Sequence, residues 1–197
     1  MLKTVIFDMH GVILRDPDGK FMPYVRRAFP QKTEEEVFPL WDEAECGRFT
    51  SHEFLRLVGY GGDLAEIERN YLDTLEMDGE FPPCAAALRE KFRLALLSDD
   101  ISEWSAYIRH KFALNELFDE IVISGDAGVK KPSPEIYRLM LEKLGQPAAE
   151  CVFIDDRRRN LAAAAGLGMG TVYFNRRGLE YAGKSVTSFK NLVEFSL

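Results

Sequence analysis

The sequence predicts an α/β fold: a Rossmann-like parallel sheet with helices on both faces, and a small helical insertion after the first strand. Three observations carry this expectation. Thr4–Phe7, Arg93–Leu97, Ile121–Ile123, Val152–Ile154 and Thr171–Phe174 are short apolar runs bounded by polar or glycine positions, as strands covered on both faces should be. Helical patterns separate the later runs, and strands alternating with helices imply crossovers and parallel pairing. The stretch from about Arg15 to Pro82 lacks strand runs and carries helix-start signals instead.

Within that stretch, Thr33-Glu34-Glu35-Glu36 and Thr50-Ser51-His52-Glu53 match a capping box, and Asp63…Glu66 is a similar start with an Asp cap. Leu64, Ile67, Tyr71, Leu72 and Leu75 form a helical stripe, and Gly59 and Gly61-Gly62 punctuate the middle. Further on, Asp100-Ile101-Ser102-Glu103 resembles a capping box ahead of Trp104 and Ile108. Ser133 is placed to cap a helix opened by Pro134 and ended by Gly145. Phe189, Leu192, Val193 and Leu197 suggest a short closing helix. The expected division is a core of residues 1–14 and 83–197, with residues 15–82 as an inserted helical cap.

A chain of 197 residues, 46% apolar, suits one core domain with a modest insertion. The net charge of -7 argues against a nucleic-acid binder held by a broad basic surface. It leaves room for a small anionic ligand, because a local site can oppose the global charge. Cys46, Cys84 and Cys151 are scattered, which disfavours a disulfide framework or a zinc site and points to a reducing compartment. The N-terminal apolar run is too short for a signal peptide or a membrane span. A cytoplasmic protein without a membrane partner is expected, as a monomer or homodimer.

Four clusters sit where predicted strands end, the place where open α/β sheets bind ligands. Asp8 ends the first strand, and an unpaired carboxylate there calls for a partner or a cation. His10, two residues on, points the same way on extended backbone. Ser98 follows the second strand and precedes a helix start, where hydroxyl and backbone N–H groups can hold a phosphate oxygen. Lys131 precedes a helix-starting Pro-Ser-Pro and offers an ammonium point charge. Asp155-Asp156 follows a buried strand, and paired carboxylates suit a hard cation such as Mg²⁺. Each feature alone has an ordinary reading as a cap, turn or surface residue.

The ordered set Asp8…Ser98…Lys131…Asp155-Asp156 resembles the four motifs of the haloacid dehalogenase-like hydrolase superfamily, across nearly the whole chain. Gly128–Tyr137, Phe153–Asn160 and Gly47–Phe54 further resemble its small-helical-cap subgroup. That subgroup includes sugar-phosphate phosphatases and the N-terminal phosphatase domain of soluble epoxide hydrolases. The resemblance implies a phosphomonoester hydrolase with Asp8 as the nucleophile that forms an aspartyl-phosphate. Asp8, Asp156 and the backbone carbonyl of His10 would hold Mg²⁺. Ser98 and Lys131 would bind the transferring phosphoryl group, and Asp155 and Asn160 would support them. The implied partner is a small phosphorylated metabolite.

The chain departs from that pattern at two positions. His10 stands where the family's phosphatases carry a second Asp, the general acid and base. Imidazole, with an ordinary pKa of about 6.5, is suited to both jobs. Asp99 stands where a neutral Asn is usual, close to the expected phosphate position, and a pairing of Asp99 with His10 would offset its charge. The rival readings are a catalytically impaired phosphate- and metal-binding protein and a 2-haloacid dehalogenase, whose relatives lack the paired acids. Arg15, Asp16, Phe21, Trp41 and Arg48 are candidates for shaping specificity.

Overall fold

The computed structural model describes residues 1–15 and 32–194. Its six strands are β1 (Thr4–Phe7), β2 (Arg93–Ser98), β3 (Glu120–Ile123), β4 (Cys151–Asp155), β5 (Gly170–Phe174) and β6 (Ser185–Val186). They pair in parallel in the order β3-β2-β1-β4-β5-β6. The five predicted strands are present with small shifts at their ends. The sixth was not anticipated, because two residues are too few to display a period.

Three helices lie between β1 and β2 in the predicted insertion: α1 (Glu34–Glu45), α2 (Ser51–Leu57) and α3 (Leu64–Leu72). They are followed by α4 (Phe81–Arg89), then α5 (Ser102–Lys111) after β2, and α6 (Ser124–Ala127) and α7 (Pro134–Leu144) after β3. The last two are α8 (Arg158–Gly166), between β4 and β5, and α9 (Phe189–Glu194). The closing helix forms as predicted, although Leu197 lies outside the described residues.

Alternate residues of each strand feed opposite layers, as pleating requires. Val5, Phe7, Leu94, Leu96, Val152 and Ile154 face one cluster, with Phe81 and Cys84 of α4 and Phe189 and Leu192 of α9. Ile6, Ala95, Leu97 and Phe153 face the other, with Ile136, Tyr137 and Met140 of α7 and Leu161 of α8. The sheet is therefore covered on both sides, and its strands are apolar at successive positions for that reason.

The capping boxes at Thr33 and Thr50 form in full, and Asp63 accepts from the N–H groups of Ala65 and Glu66. Two predicted caps do not form. Ile101, not Asp100, occupies the N-cap of α5, and no side chain caps it. Ser133 occupies the N-cap of α7, but its hydroxyl donates to Glu135 and caps no backbone N–H. In both places another polar group took the side chain: His10, distant in sequence, at Asp100, and Glu135, two residues on, at Ser133.

Trp104 of α5 anchors the insertion helices. Its ring centroid lies 5.4 Å from Trp41 of α1, 6.1 Å from Phe54 of α2 and 5.1 Å from Tyr71 of α3. Its indole N–H donates to Glu68 at 2.7 Å, so the buried ring keeps a polar partner. Gly47, after α1, has a φ of +69°, and a Cβ there would stand 2.2 Å from the carbonyl oxygen of Gly125. The backbone of the insertion thus touches α6, immediately after β3, at a point only glycine permits. Among the described residues, no helix is long and apolar enough to cross a membrane.

Candidate functional site

β1 lies between β2 and β4, the neighbours at which the strand order changes direction. Such a switch point opens a crevice beyond the carboxyl ends of the strands. Phe7 is in register with Leu96 of β2 and Ile154 of β4. The next residues along each strand, Asp8, Leu97-Ser98 and Asp155, therefore emerge at one edge.

Lys131 organises that edge. Its side chain is buried, and its ammonium lies 2.7 Å from Asp8 Oδ1, 3.1 Å from Asp155 Oδ2 and 3.1 Å from the Leu97 carbonyl oxygen. Burial alone would push the ammonium pKa down; Asp155, then Asp8 and Asp99, outweigh it and hold it above the ordinary lysine value. Asp155 is fully engaged. Its Oδ2 also accepts from Asn160 Nδ2 at 2.9 Å, and its Oδ1 accepts from the Arg157 backbone N–H at 2.6 Å. Burial nonetheless pushes its carboxyl up, against the pull of Lys131.

Asp8 and Asp156 are less saturated. Asp8 Oδ1 takes both Lys131 and the backbone N–H of Met9, the latter at 2.7 Å. Among the described residues its Oδ2 accepts no hydrogen bond. Asp156 Oδ1 is buried with no hydrogen-bond partner, a condition that carries a full desolvation cost. Burial, then Asp8 and Asp155, push the Asp156 carboxyl up to about 7. Ligand oxygens of Asp8, Asp155 and Asp156 lie within 4.8 Å of one another. Three crowded carboxylates with an orphaned oxygen fit a hard, oxygen-seeking divalent cation, Mg²⁺ above softer metals. Gly11 makes the crowding sterically possible: its φ is +80°, and a Cβ there would meet Asp156 Oδ2 at 2.3 Å.

His10 and Asp99 find different partners from the pairing considered on sequence grounds. His10 Nε2 lies 3.1 Å from Oδ2 of Asp100, a buried carboxylate whose Oδ1 accepts from the Ile101 N–H. Asp99 Oδ1 accepts from the backbone N–H of Lys131 at 2.9 Å. Ser98 is buried at the end of β2, with its hydroxyl 3.5 Å from the Asp99 carbonyl.

Asp8, His10, Asp99, Lys131 and Asn160 share a cavity of about 340 Å³ with Trp41 and Tyr71 from the insertion. Lys130 closes one side: its ammonium meets Asp42 and Glu45 of α1 at 2.5 Å each. Of the proposed specificity residues, only Trp41 lines this cavity among the described residues. Arg15 pairs with Asp78, Arg48 pairs with Glu43, and Asp16 and Phe21 lie outside the described residues.

Sequence reasoning missed Asp100 as the partner of His10, because its position read as a helix cap. It also missed Arg176. This guanidinium donates to the carbonyls of Gly11 at 3.2 Å and Val12 at 2.6 Å, and to Asp78 Oδ2 at 2.6 Å. It thereby ties the loop after Asp8 to the end of β5. Burial raises the Asp78 carboxyl, but the Glu80 N–H, Arg15 and Arg176 together hold it below its ordinary value. A depressed carboxyl contributes stability above its unfolded pKa of about 3.9, and loses it as pH falls through the lower folded value. Asp78→Asn should cost about 1–3 kcal/mol at neutral pH. Denaturant melts should show that deficit shrinking below pH of about 4; a deficit independent of pH would refute this role.

The site lies within the span shared with known proteins. A model described as haloacid dehalogenase-like hydrolase matches residues 2–168. Drimenol cyclase drtB of Aspergillus calidoustus is 24% identical across 97% of this chain, which spans 40% of that protein's length. D-ribitol-5-phosphate phosphatase of Bacteroides thetaiotaomicron is 25% identical, over 87% of this chain and 91% of its own. A solved HAD-family enzyme from the same organism, in complex with magnesium and inorganic phosphate, superposes with a TM-score of 0.78 at 23% identity, covering 92% of this chain and 98% of that one. The matched span runs from β1 to just beyond α8 and so contains every strand end that contributes to the site; the chain belongs to the haloacid dehalogenase-like hydrolase family.

Proposed function

We propose that this chain is a Mg²⁺-dependent phosphomonoester hydrolase acting on a small organic phosphate through an aspartyl-phosphate on Asp8. Residues 1–14 and 83–197 would be the catalytic core and residues 15–82 the cap. The observation that carries this reading is the Lys131 ammonium bonded to Asp8 and Asp155, beside the partnerless oxygen of Asp156. Phosphoryl transfer asks mainly for positioning and charge compensation, and this edge concentrates both. The phosphatase named among the relatives and the magnesium and phosphate in the solved neighbour support the same reading.

Asp8 would attack phosphorus through Oδ2, because Oδ1 is occupied by Lys131 and the Met9 N–H. Lys131 and Ser98 would hold the phosphoryl oxygens, while Asp155, itself braced by Asn160, keeps Lys131 in place. Asp99 would orient the Lys131 backbone through its N–H. Mg²⁺ would be held by Asp8, Asp156 and the His10 carbonyl, and would supply positive charge for the phosphoryl oxygens. His10 would act as general acid for the leaving alcohol and then as base for the attacking water. Asp100, 3.1 Å from Nε2, favours a proton on that nitrogen.

This division of labour predicts a leaving-group dependence. Wild-type protein should hydrolyse an aryl phosphate with Mg²⁺ and lose turnover in EDTA. His10→Ala should lower kcat by about 10²–10⁴-fold on an alkyl phosphate. The loss should be much smaller on p-nitrophenyl phosphate, whose leaving group needs no acid, and His10→Asp should recover alkyl activity. Equal losses on both substrates would remove His10 from the acid/base role. Phosphate binding without turnover of either substrate would identify a binding protein instead.

A further inference from the structure

The cavity holds cations that the reading above does not use. Arg157 and Arg159 both line it. Arg158, between them, turns elsewhere: it donates to the Glu180 carbonyl at 2.5 Å and lies over the rings of Tyr173 and Tyr181. Arg157 and Arg159 are exposed. Among the described residues neither guanidinium makes a direct ion pair or hydrogen bond, although burial of Arg157 is outweighed by Asp8, then Asp156 and Asp155, which hold it above the ordinary arginine value. Lys130, on the same cavity, is by contrast saturated by Asp42 and Glu45. Three consecutive arginines at the start of α8 oppose the helix dipole. Arg158 is accounted for by its packing, which leaves the two that face the cavity.

We infer that Arg157 and Arg159 form a second anion subsite, and that the favoured substrate is a phosphomonoester carrying a further carboxylate or phosphate. The proposal rests on the phosphatase reading. The transferring phosphoryl belongs at Asp8, where Lys131 already waits 2.7 Å away. The organic body of the substrate then lies along Trp41 and Tyr71, whose rings are held by Trp104. The far end meets Arg159, with Arg157 within electrostatic reach of Asp8 and Asp156. The planar, forked guanidinium donors match a carboxylate or a second phosphate better than a hydroxyl, because both oxygens of the anion are engaged together. A neutral polyol tail would leave Arg159 without a counter-charge, and Arg157 with only the carboxylates of Asp8, Asp156 and Asp155.

The test is a matched set: propyl phosphate, the same three-carbon chain ending in a carboxylate, and the same chain ending in a second phosphate. With Mg²⁺, kcat/KM should favour the charged tails by about tenfold or more. The two charged arms show which anion is preferred. Arg159→Gln should shrink the preference, and Arg157→Gln with Arg159→Gln should bring the ratio near one. Arg-to-Lys substitutions should retain part of it. Both side chains are exposed, so these variants should fold, and Arg159→Gln alone suffices if the double variant does not. A wild-type ratio near one, or a ratio that survives the double substitution, would overturn the subsite. Calorimetry in Mg²⁺ with propylphosphonate and 3-phosphonopropanoate, which cannot be hydrolysed, separates the two ideas. Discrimination in binding without turnover of any ester would overturn the phosphatase reading and leave the subsite standing; no discrimination in binding would overturn the subsite alone.

Discussion

Asp8→Asn should fold as the wild type does and lose aryl phosphate hydrolysis by about 10⁴-fold or more, because the nucleophile is gone. The amide is nearly the same shape as the carboxylate, and its oxygen can still accept from the Met9 N–H and from Lys131. Only the charge and the second carboxylate oxygen disappear. Removing that charge also relieves Asp156, which Asp8 helps to push up. Metal-free Asp8→Asn should therefore melt no lower than wild type, so a fall in activity would not be a fall in folding. Steady-state kinetics beside a thermal melt decide the matter. Residual activity above about a tenth of wild type would exclude Asp8 as the nucleophile.

Lys131→Met should be the most damaging single change to the fold at this edge. Methionine fills a similar volume but leaves Asp8 and Asp155 buried without their shared counter-charge. Breaking a buried pair by removing one partner costs about 3–5 kcal/mol, whereas replacing every charged member by apolar groups need not. For a chain of this size, that is a fall in Tm of roughly 10 °C. Activity should fall by about 10³-fold, because the phosphoryl loses a fixed cation. Mg²⁺ should recover part of the stability, since it binds the folded state and compensates the same carboxylates. A metal-free Tm within about 2 °C of wild type would show that Lys131 is not the counter-charge the geometry implies. The predicted recovery also separates the two functions of this edge: stability should respond to any added cation there, while turnover needs the ammonium itself.

The strand pattern and the helices between β1 and β2 were legible from local order alone. Apolar runs such as Val152–Ile154 declare burial on both faces; Asp8, Ser98 and Asp155-Asp156 stand at the ends of such runs, and Lys131 in the loop before a helix-starting Pro-Ser-Pro. A parallel sheet gathers strand ends at one edge, so order along the chain was enough to bring Asp8, Ser98 and Asp155 together, while the contacts of Lys131, eight residues beyond β3, were fixed by the fold. Caps at Thr33, Thr50 and Asp63 were equally local, because donor and acceptor lie within one turn.

Contacts between residues distant in sequence were decided only in three dimensions. Asp100 carries the signature of a helix cap, yet 90 positions separate it from His10, the side chain it meets. Arg176 lies 165 positions from Gly11, whose carbonyl it holds. In the arginine run at the start of α8, sequence spacing says nothing about which guanidiniums pack and which face a cavity. That outcome depends on Tyr173 and Tyr181, which capture Arg158 from β5 and the segment after it. Backbone periodicity and capping act over a few residues, so sequence encodes them openly. Charge pairing and side-chain direction depend on which surfaces the folded sheet brings together, and those the tertiary structure alone determines.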